Sequence, residues 1–195
     1  KDSLTGIKVR MLYTIWSDRP VIAKSVEYVN EGTEAVHLTT AYSMCLDLPD
    51  PDYQWMQLSG AWARERHIIT RDLEQGVQSI GSNRGHSSHE HNPFIVLKRE
   101  TTDENQGEAI GISLVYSSNF KIQAEVDTRN TARILAGINP DAESAYMAAE
   151  IEKGGVFFFA VDLQQERGDS CYLFVHALGC CGAGGCTPRI ECYLR

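Results

Sequence analysis

The chain has 195 residues, 43% of them hydrophobic, and a formal net charge of −8. That length supports one sizeable domain with its own core, and the acidic balance argues against a nucleic-acid partner, which calls for a basic face. With no apolar run of about 18 residues and no apolar h-region in the opening Lys1-Asp2-Ser3-Leu4-Thr5-Gly6, the expectation is a soluble cytoplasmic protein with no membrane partner.

From Gly6 to Trp16, Ile7, Val9, Met11 and Tyr13 alternate with Lys8 and Arg10, the period of a half-buried strand. A turn at Ser17-Asp18-Arg19-Pro20 leads into a second strand, Pro20 to Val29. Asn30-Glu31-Gly32 follows with turn chemistry, since glycine tolerates positive φ without steric cost, and the two strands read as a β-hairpin. A third strand, Ala35 to Leu48, enters the acidic turn Asp47-Leu48-Pro49-Asp50-Pro51-Asp52. Aromatic, basic, acidic and histidine side chains are densest in the segment that follows, between Leu46 and Phe94.

Later segments return to the strand pattern. Phe94 to Arg99 is short and apolar, and Thr101 to Gly107 is a polar loop. Ala109 to Tyr116, Lys121 to Thr128 and Thr131 to Ile138 are further strands, with a turn at Ser117-Ser118-Asn119. Nothing before Pro140 sustains a 3.6-residue apolar period over several turns. Short strands at regular spacing predict an all-β fold, an antiparallel β-sandwich.

After Pro140 the character changes. A short helix is expected over Ala142 to Glu150 and a strand over Val156 to Leu163. Of six cysteines, Cys45 stands alone, whereas Cys171, Cys180, Cys181, Cys186 and Cys192 crowd the last 25 residues. A secreted disulfide scaffold would spread its bridges through the fold. Adjacent Cys180 and Cys181 do not reproduce the C-x-x-C bite of a zinc knuckle. The Cys/Gly-rich stretch from Gly179 therefore reads as an irregular tail, with no metal.

Function has to be sought in the central segment. Tyr53, Trp55 and Trp62 carry flat rings suited to stacking on a sugar. If that stretch is extended, Arg64 and Arg66 point to the same side as Trp62, and Asp47, Asp50 and Asp52 offer acceptors for hydroxyls. Residue types alone equally describe ordinary core aromatics beside a solvated charged face. His86, His89 and His91 have no helical pair spacing and sit among Gly85, Ser87, Ser88 and Pro93, so they mark a loop rather than a metal site. No G-x-S-x-G, H-E-x-x-H, P-loop or G-x-G-x-x-G is present, so no catalytic residue and no cofactor is assigned.

Several motifs carry more. Ser43-Met44-Cys45-Leu46-Asp47-Leu48-Pro49, the stretch from Leu58 to His67, and Gln78-Ser79-Ile80 occur in this order. Arg84 to Phe94, Leu114-Val115-Tyr116-Ser117-Ser118-Asn119-Phe120 and Gly137-Ile138-Asn139-Pro140 follow them. Together they resemble the N-terminal β-supersandwich domain of α-galactosidases of glycoside hydrolase family 36, from Gly6 to Pro140. The resemblance implies an enzyme that removes terminal α-galactosyl residues from melibiose- and raffinose-type oligosaccharides. Its two catalytic aspartates would sit on a barrel that follows this domain. It also implies a role in assembling a homo-oligomer and loops that border a sugar pocket. Tyr53, Trp62 and Arg64 are then expected to face that pocket, with Trp62 as a wall and Arg64 bonding a hydroxyl or holding the loop. His91 and Asn92 would shape the loop near the domain junction.

Beyond Pro140 the resemblance stops. Where the family continues through an aromatic-rich strand and a Glu-Pro-Gly turn, this chain has Asp141-Ala142-Glu143-Ser144-Ala145-Tyr146 and then the cysteine-rich stretch. Residues 1–140 are accordingly expected to form part of the N-terminal domain, and 141–195 a divergent segment such as a reading-frame slip or wrong gene boundary would produce. A free-standing carbohydrate-binding module and a purely structural sandwich are the alternatives. Without a barrel the chain is expected to be inactive by itself, and release of galactose from melibiose or a nitrophenyl galactoside by the pure chain would refute this.

Overall fold

The computed structural model describes residues 2–17, 20–103, 105–116, 118–141, 149–151 and 156–167. Among them are thirteen strands and no helix. In chain order these are β1 (Ile7–Ile15), β2 (Val21–Asn30), β3 (Val36–Leu38), β4 (Tyr42–Leu48), β5 (Gln54–Ala61), β6 (Arg64–Asp72) and β7 (Gly76–Gly81). β8 (His91–Lys98), β9 (Glu108–Leu114), β10 (Phe120–Val126), β11 (Ala132–Ile138), β12 (Ala149–Ile151) and β13 (Val156–Arg167) complete the set. A seven-stranded sheet runs β1-β2-β13-β9-β8-β5-β6, a four-stranded sheet β4-β11-β10-β7, and β12 pairs with β3. Every ladder is antiparallel. The all-β sandwich expected from the strand pattern is the fold.

Period-2 alternation builds the core. Phe120, Ile122, Ala124 and Val126 on β10, with Ala132, Ile134 and Ala136 on β11, face Trp55, Ile95, Leu97 and Ile112 of the large sheet. Trp55, Phe120, Met44, Ile95, Leu97, Ile112, Ile122 and Ile134 are each below 2% exposed. Each such side chain contributes about 1.5–3 kcal/mol from leaving water, an upper value for a compact unfolded chain.

The two sheets are unequal. β4 of the small sheet lies against β2 and β13, and β7 and β10 lie against β8. The outer strands β1 and β6 are thus left beyond its cover. The expected half-burial of the first strand fails for this reason: the period is correct, but Val9, Met11, Tyr13 and Ile15 are 47%, 63%, 56% and 72% exposed.

The segment expected as one strand from Ala35 to Leu48 is two. β3 joins the small ladder, β4 joins the four-stranded sheet, and Thr39-Thr40-Ala41 carries the chain between them. At this corner Ile138 N–H donates to the Ala41 carbonyl at 3.3 Å. A Cβ on Gly137 would lie 2.5 Å from that oxygen and 2.7 Å from the Tyr42 Cα, so only glycine permits the approach. The apolar pattern runs unbroken through the corner, which hides it.

The remaining expectations sort simply. At the first hairpin Trp16 N–H meets the Val21 carbonyl at 3.4 Å, while Asp18 and Arg19 of the expected turn lie outside the described residues. Of the expected helix over Ala142 to Glu150, residues 142–148 lie outside them too, and Ala149 and Glu150 belong to β12. The strand expected from Val156 is β13, which pairs with β2 on one side and β9 on the other. The cysteine-rich stretch from Gly179 lies outside the described residues.

Ile122→Ala is expected to cost about 2–5 kcal/mol, because it opens a cavity between the sheets. Ile68→Ala, on exposed β6, should stay within about 0.5 kcal/mol. Urea unfolding of both variants checks the contrast.

Candidate functional site

β5 and β6 form a hairpin whose closing pair is Ala61 and Arg64, so Trp62 and Ala63 are its two turn residues. Ala63, the second turn residue, takes φ +62°, a left-handed conformation usually given to glycine or asparagine at that position. Glu65 holds the turn by accepting the Ala63 N–H at Oε1, 3.0 Å away. The register then shifts between Ser59 and Ala61, and Arg66 is also left-handed at φ +60°. This is a β-bulge whose left-handed position is usually glycine. Gly60 opposite it is obligatory, since a Cβ there would meet the Arg64 carbonyl at 2.2 Å. Two non-glycine residues in this region within four positions make a strained tip.

That geometry corrects the expectation of one extended run. Trp62, Arg64 and Arg66 do not alternate onto a common side, because the turn and the bulge each break the period. Trp62 stands at the tip, 83% exposed.

Beside the tip is a groove of about 530 Å³, lined by Ser59, Arg64, His67, Ile69, Glu90 and His91 among others. Gly60 N–H donates to the Glu90 carbonyl at 3.2 Å, tying the end of β5 to the entry of β8. Register places Ser59 opposite His67, Gln57 opposite Ile69 and Trp55 opposite Arg71. These six residues therefore share the inner face of the large sheet. Trp55 on this face is fully buried, yet His67 and Ile69 are exposed. The groove is the uncovered end of the sandwich interior.

A line of side chains runs from the core to this groove. Trp55 Nε1–H donates to Gln57 Oε1 at 2.8 Å, Gln57 Nε2–H to Ser59 Oγ at 2.8 Å, and Ser59 Oγ lies 2.9 Å from His91 Nδ1. Burial pushes the His91 imidazole below its ordinary pKa; Glu90 opposes the shift, and Arg71 and Arg84 add to it. Glu90 is itself bonded to Arg84 at 2.6 Å. The Arg71 guanidinium lies 5.4 Å over the Trp55 ring. Its Nε and Nη2 are buried without a hydrogen-bond partner among the described residues, as is Asn92 Oδ1. After Asn92, Pro93 sits inside the β5–β8 register shift, where its missing N–H interrupts no ladder.

Of the expected pocket residues, the structure brings Arg64 and His91 into one groove, with Trp62 at the adjoining tip and Asn92 next to His91. Tyr53 is elsewhere. It is 3% exposed and donates to Glu108 Oε1 at 3.1 Å. Arg99 bonds Asp50 twice, at 2.5 and 3.1 Å, and the Tyr53 hydroxyl at 3.0 Å. Asp47 is likewise held by Arg133 at 2.6 Å. Two of the three turn acids thus answer arginines rather than standing free for hydroxyls. Gln57, Ser59, His67 and Glu90 were not singled out from sequence, although Trp55-Gln57-Ser59 is a period-2 set on one strand face.

A profile of the Glycosyl hydrolase family 36 N-terminal domain matches residues 1–147. Alpha-galactosidase AgaA of Geobacillus stearothermophilus is 49% identical over 139 residues, 71% of this chain and 19% of that protein. Alpha-galactosidase Mel36A of Lactobacillus acidophilus is 41% identical over the same shares. The crystal structure of AgaA superposes with a TM-score of 0.81 at 42% identity, over 86% of this chain and 23% of that one. The alpha-galactosidase of Lactobacillus brevis gives 0.81 at 40% identity, over 86% and 22%. The chain spans about a fifth of the length of the curated relatives it matches.

Tyr53→Phe should destabilise the fold by about 1 kcal/mol, leaving Arg99 and Glu108 one partner short. The Arg99 hydrogen bond holds the Asp50 carboxyl below its ordinary 3.8. A carboxylate depressed in the folded state contributes stability that is present above the unfolded value and lost as pH falls through the folded one. The gap in urea midpoint between wild type and Asp50→Asn, present at neutral pH, should therefore close as pH falls below 3.8.

Proposed function

The chain belongs to the glycosyl hydrolase family 36 N-terminal domain family, and from that membership we propose that it is the non-catalytic β-sandwich domain of an α-galactosidase, bordering the sugar pocket and supporting oligomer assembly. The relatives it matches are α-galactosidases by name, and variants of AgaA have been crystallised with stachyose and with raffinose. A neutral oligosaccharide suits the net charge of −8 better than a polyanion does.

The observation that carries this proposal is the groove beside the hairpin tip. It combines an apolar patch at Ile69 with polar groups on Arg64, His67, Glu90 and His91, the mixture that a hydroxyl-rich ring with apolar C–H faces requires. Trp62 offers a stacking surface at its rim, and Arg64 offers planar N–H donors for hydroxyl oxygens. A strained tip supporting an exposed indole is costly unless the tip meets something. None of these groups is placed as nucleophile or general acid. The paired carboxylates of glycoside hydrolysis would belong to the part of the enzyme beyond the segment shared with the relatives. Assembly is supported by the apolar outer strand β1, whose edge and exposed Met11, Tyr13 and Ile15 are a surface for contact with more protein.

Grafting residues 1–147 onto AgaA in place of its own matched segment tests the proposal. In that chimera Trp62→Ala and Arg64→Ala are each expected to raise KM for raffinose about tenfold, near 1.4 kcal/mol. The unfolding temperature should hold, because both side chains are exposed. Unchanged kinetics in both variants would overturn the pocket-bordering role.

A further inference from the structure

We propose that the line Trp55–Gln57–Ser59 is a positioning device that fixes His91 as a neutral imidazole with its proton on Nε2, so that the groove is offered an N–H donor matched to a neutral oxygen. The direction of the line follows from its inner end. An indole N–H can only donate, so the Gln57 amide must turn its oxygen to Trp55 and its NH₂ to Ser59, as the 2.8 Å contacts have it. Ser59 Oγ thereby accepts, and its own hydrogen goes to the remaining partner, His91 Nδ1 at 2.9 Å. A nitrogen that accepts carries no proton, so the ring proton is on Nε2. His91 lines the groove.

The opposite tautomer would make Ser59 Oγ accept twice and strand its own hydrogen, in a place where Gln57 and Ser59 are 5% and 6% exposed. An unsatisfied buried donor disfavours that state about tenfold or more. The imidazolium meets the same conflict at Nδ1. The charged groups around the ring also oppose it: Arg71 from β6 and Arg84 from the loop after β7 act against the charge, and Glu90, which favours it, is already paired with Arg84. Arg64 and His67 line the same groove. A neutral donor suits a hydroxyl or ring oxygen, and suits a cation or another N–H donor poorly. The identity of that ligand rests on the α-galactosidase proposal; the tautomer does not.

Long-range proton–nitrogen correlation spectra of the ¹⁵N-labelled full chain, without ligand, test this across about pH 5 to 8. His91 is assigned by its disappearance in His91→Gln. The expected pattern is a pyridine-type Nδ1 and a pyrrole-type Nε2, in a ratio above about tenfold, titrating below the ordinary histidine value of 6.5. Ser59→Ala should relax the ratio toward that of a free imidazole and raise the midpoint. Trp55→Phe frees the Gln57 amide to flip and should shift the proton toward Nδ1 from three hydrogen bonds away. A wild-type ring protonated on Nδ1 would overturn the proposal, as would a ratio unmoved in both variants, which is what a packing role alone predicts. Because no sugar is present, a failure here is distinct from failure of the chimera kinetics.

Discussion

A seven-stranded sheet packed on a four-stranded one cannot be covered along its whole width, and most of what is distinctive about this molecule follows from that mismatch. Sheets pack about 10 Å apart and bury alternate side chains only where both are present. In the middle, that condition makes Trp55, Ile95, Leu97 and Ile112 fully buried against Phe120, Ile122 and Ile134. At the two ends it fails. Residues with inward register there meet solvent, and the chain treats the ends differently. The β1 end keeps apolar side chains, a surface that costs solubility unless another protein layer meets it. The β6 end keeps His67 and Ile69, and with Glu90 and His91 it becomes a groove.

Strand identity was legible because period 2 is a local property. Outside the segment between Leu48 and Phe94, the strands from Ile7 to Ile138 could be placed within a few positions, apart from the corner that divides β3 from β4. Burial was not legible. Val9, Met11 and Tyr13 alternate as core residues do, and nothing local says that the second sheet stops short of β1. The corner at Ala41 was lost for a related cause: its requirement lies at Gly137, nearly a hundred residues on, where the close approach excludes a Cβ. The central segment was harder still. No strand was assigned there, because its charges mask the period; β6 tolerates them as an outer strand with seven consecutive exposed residues.

The candidate site divides along the same line. Trp62, Arg64, His91 and Asn92 lie in the sequence motifs themselves, and the hairpin and the β8 entry gather them at one end. Tyr53, expected at the pocket from the same resemblance, lies between those motifs, and its ring is buried and its hydroxyl engaged by Arg99 and Glu108. It supports the turn that carries Asp50 rather than the groove. Gln57 and Ser59 were hidden by their ordinary residue types. Two polar residues on a strand next to a tryptophan look like a solvated face until the fold shows that face turned inward.

That inward turn also constrains register. Apolar contacts on β5 would survive a two-residue slip, since a slip of two keeps every side chain on its face. The last link of the polar line would not. Moving β5 by two residues against β8 separates Ser59 from His91 and leaves the buried Ser59 hydroxyl without that acceptor, a penalty on the order of 1–3 kcal/mol, while the Trp55–Gln57 and Gln57–Ser59 bonds travel with the strand. The bulges on either side of β5, at Gly60 opposite Arg66 and at Pro93 on β8, absorb the extra residues that the native register requires. A buried hydrogen-bonded set is poor evidence of added stability, because an apolar replacement of the same shape often does as well. Its worth here is in choosing one alignment of β5 on β8, and with it the position of the hairpin tip relative to His91 at the open end of the sandwich.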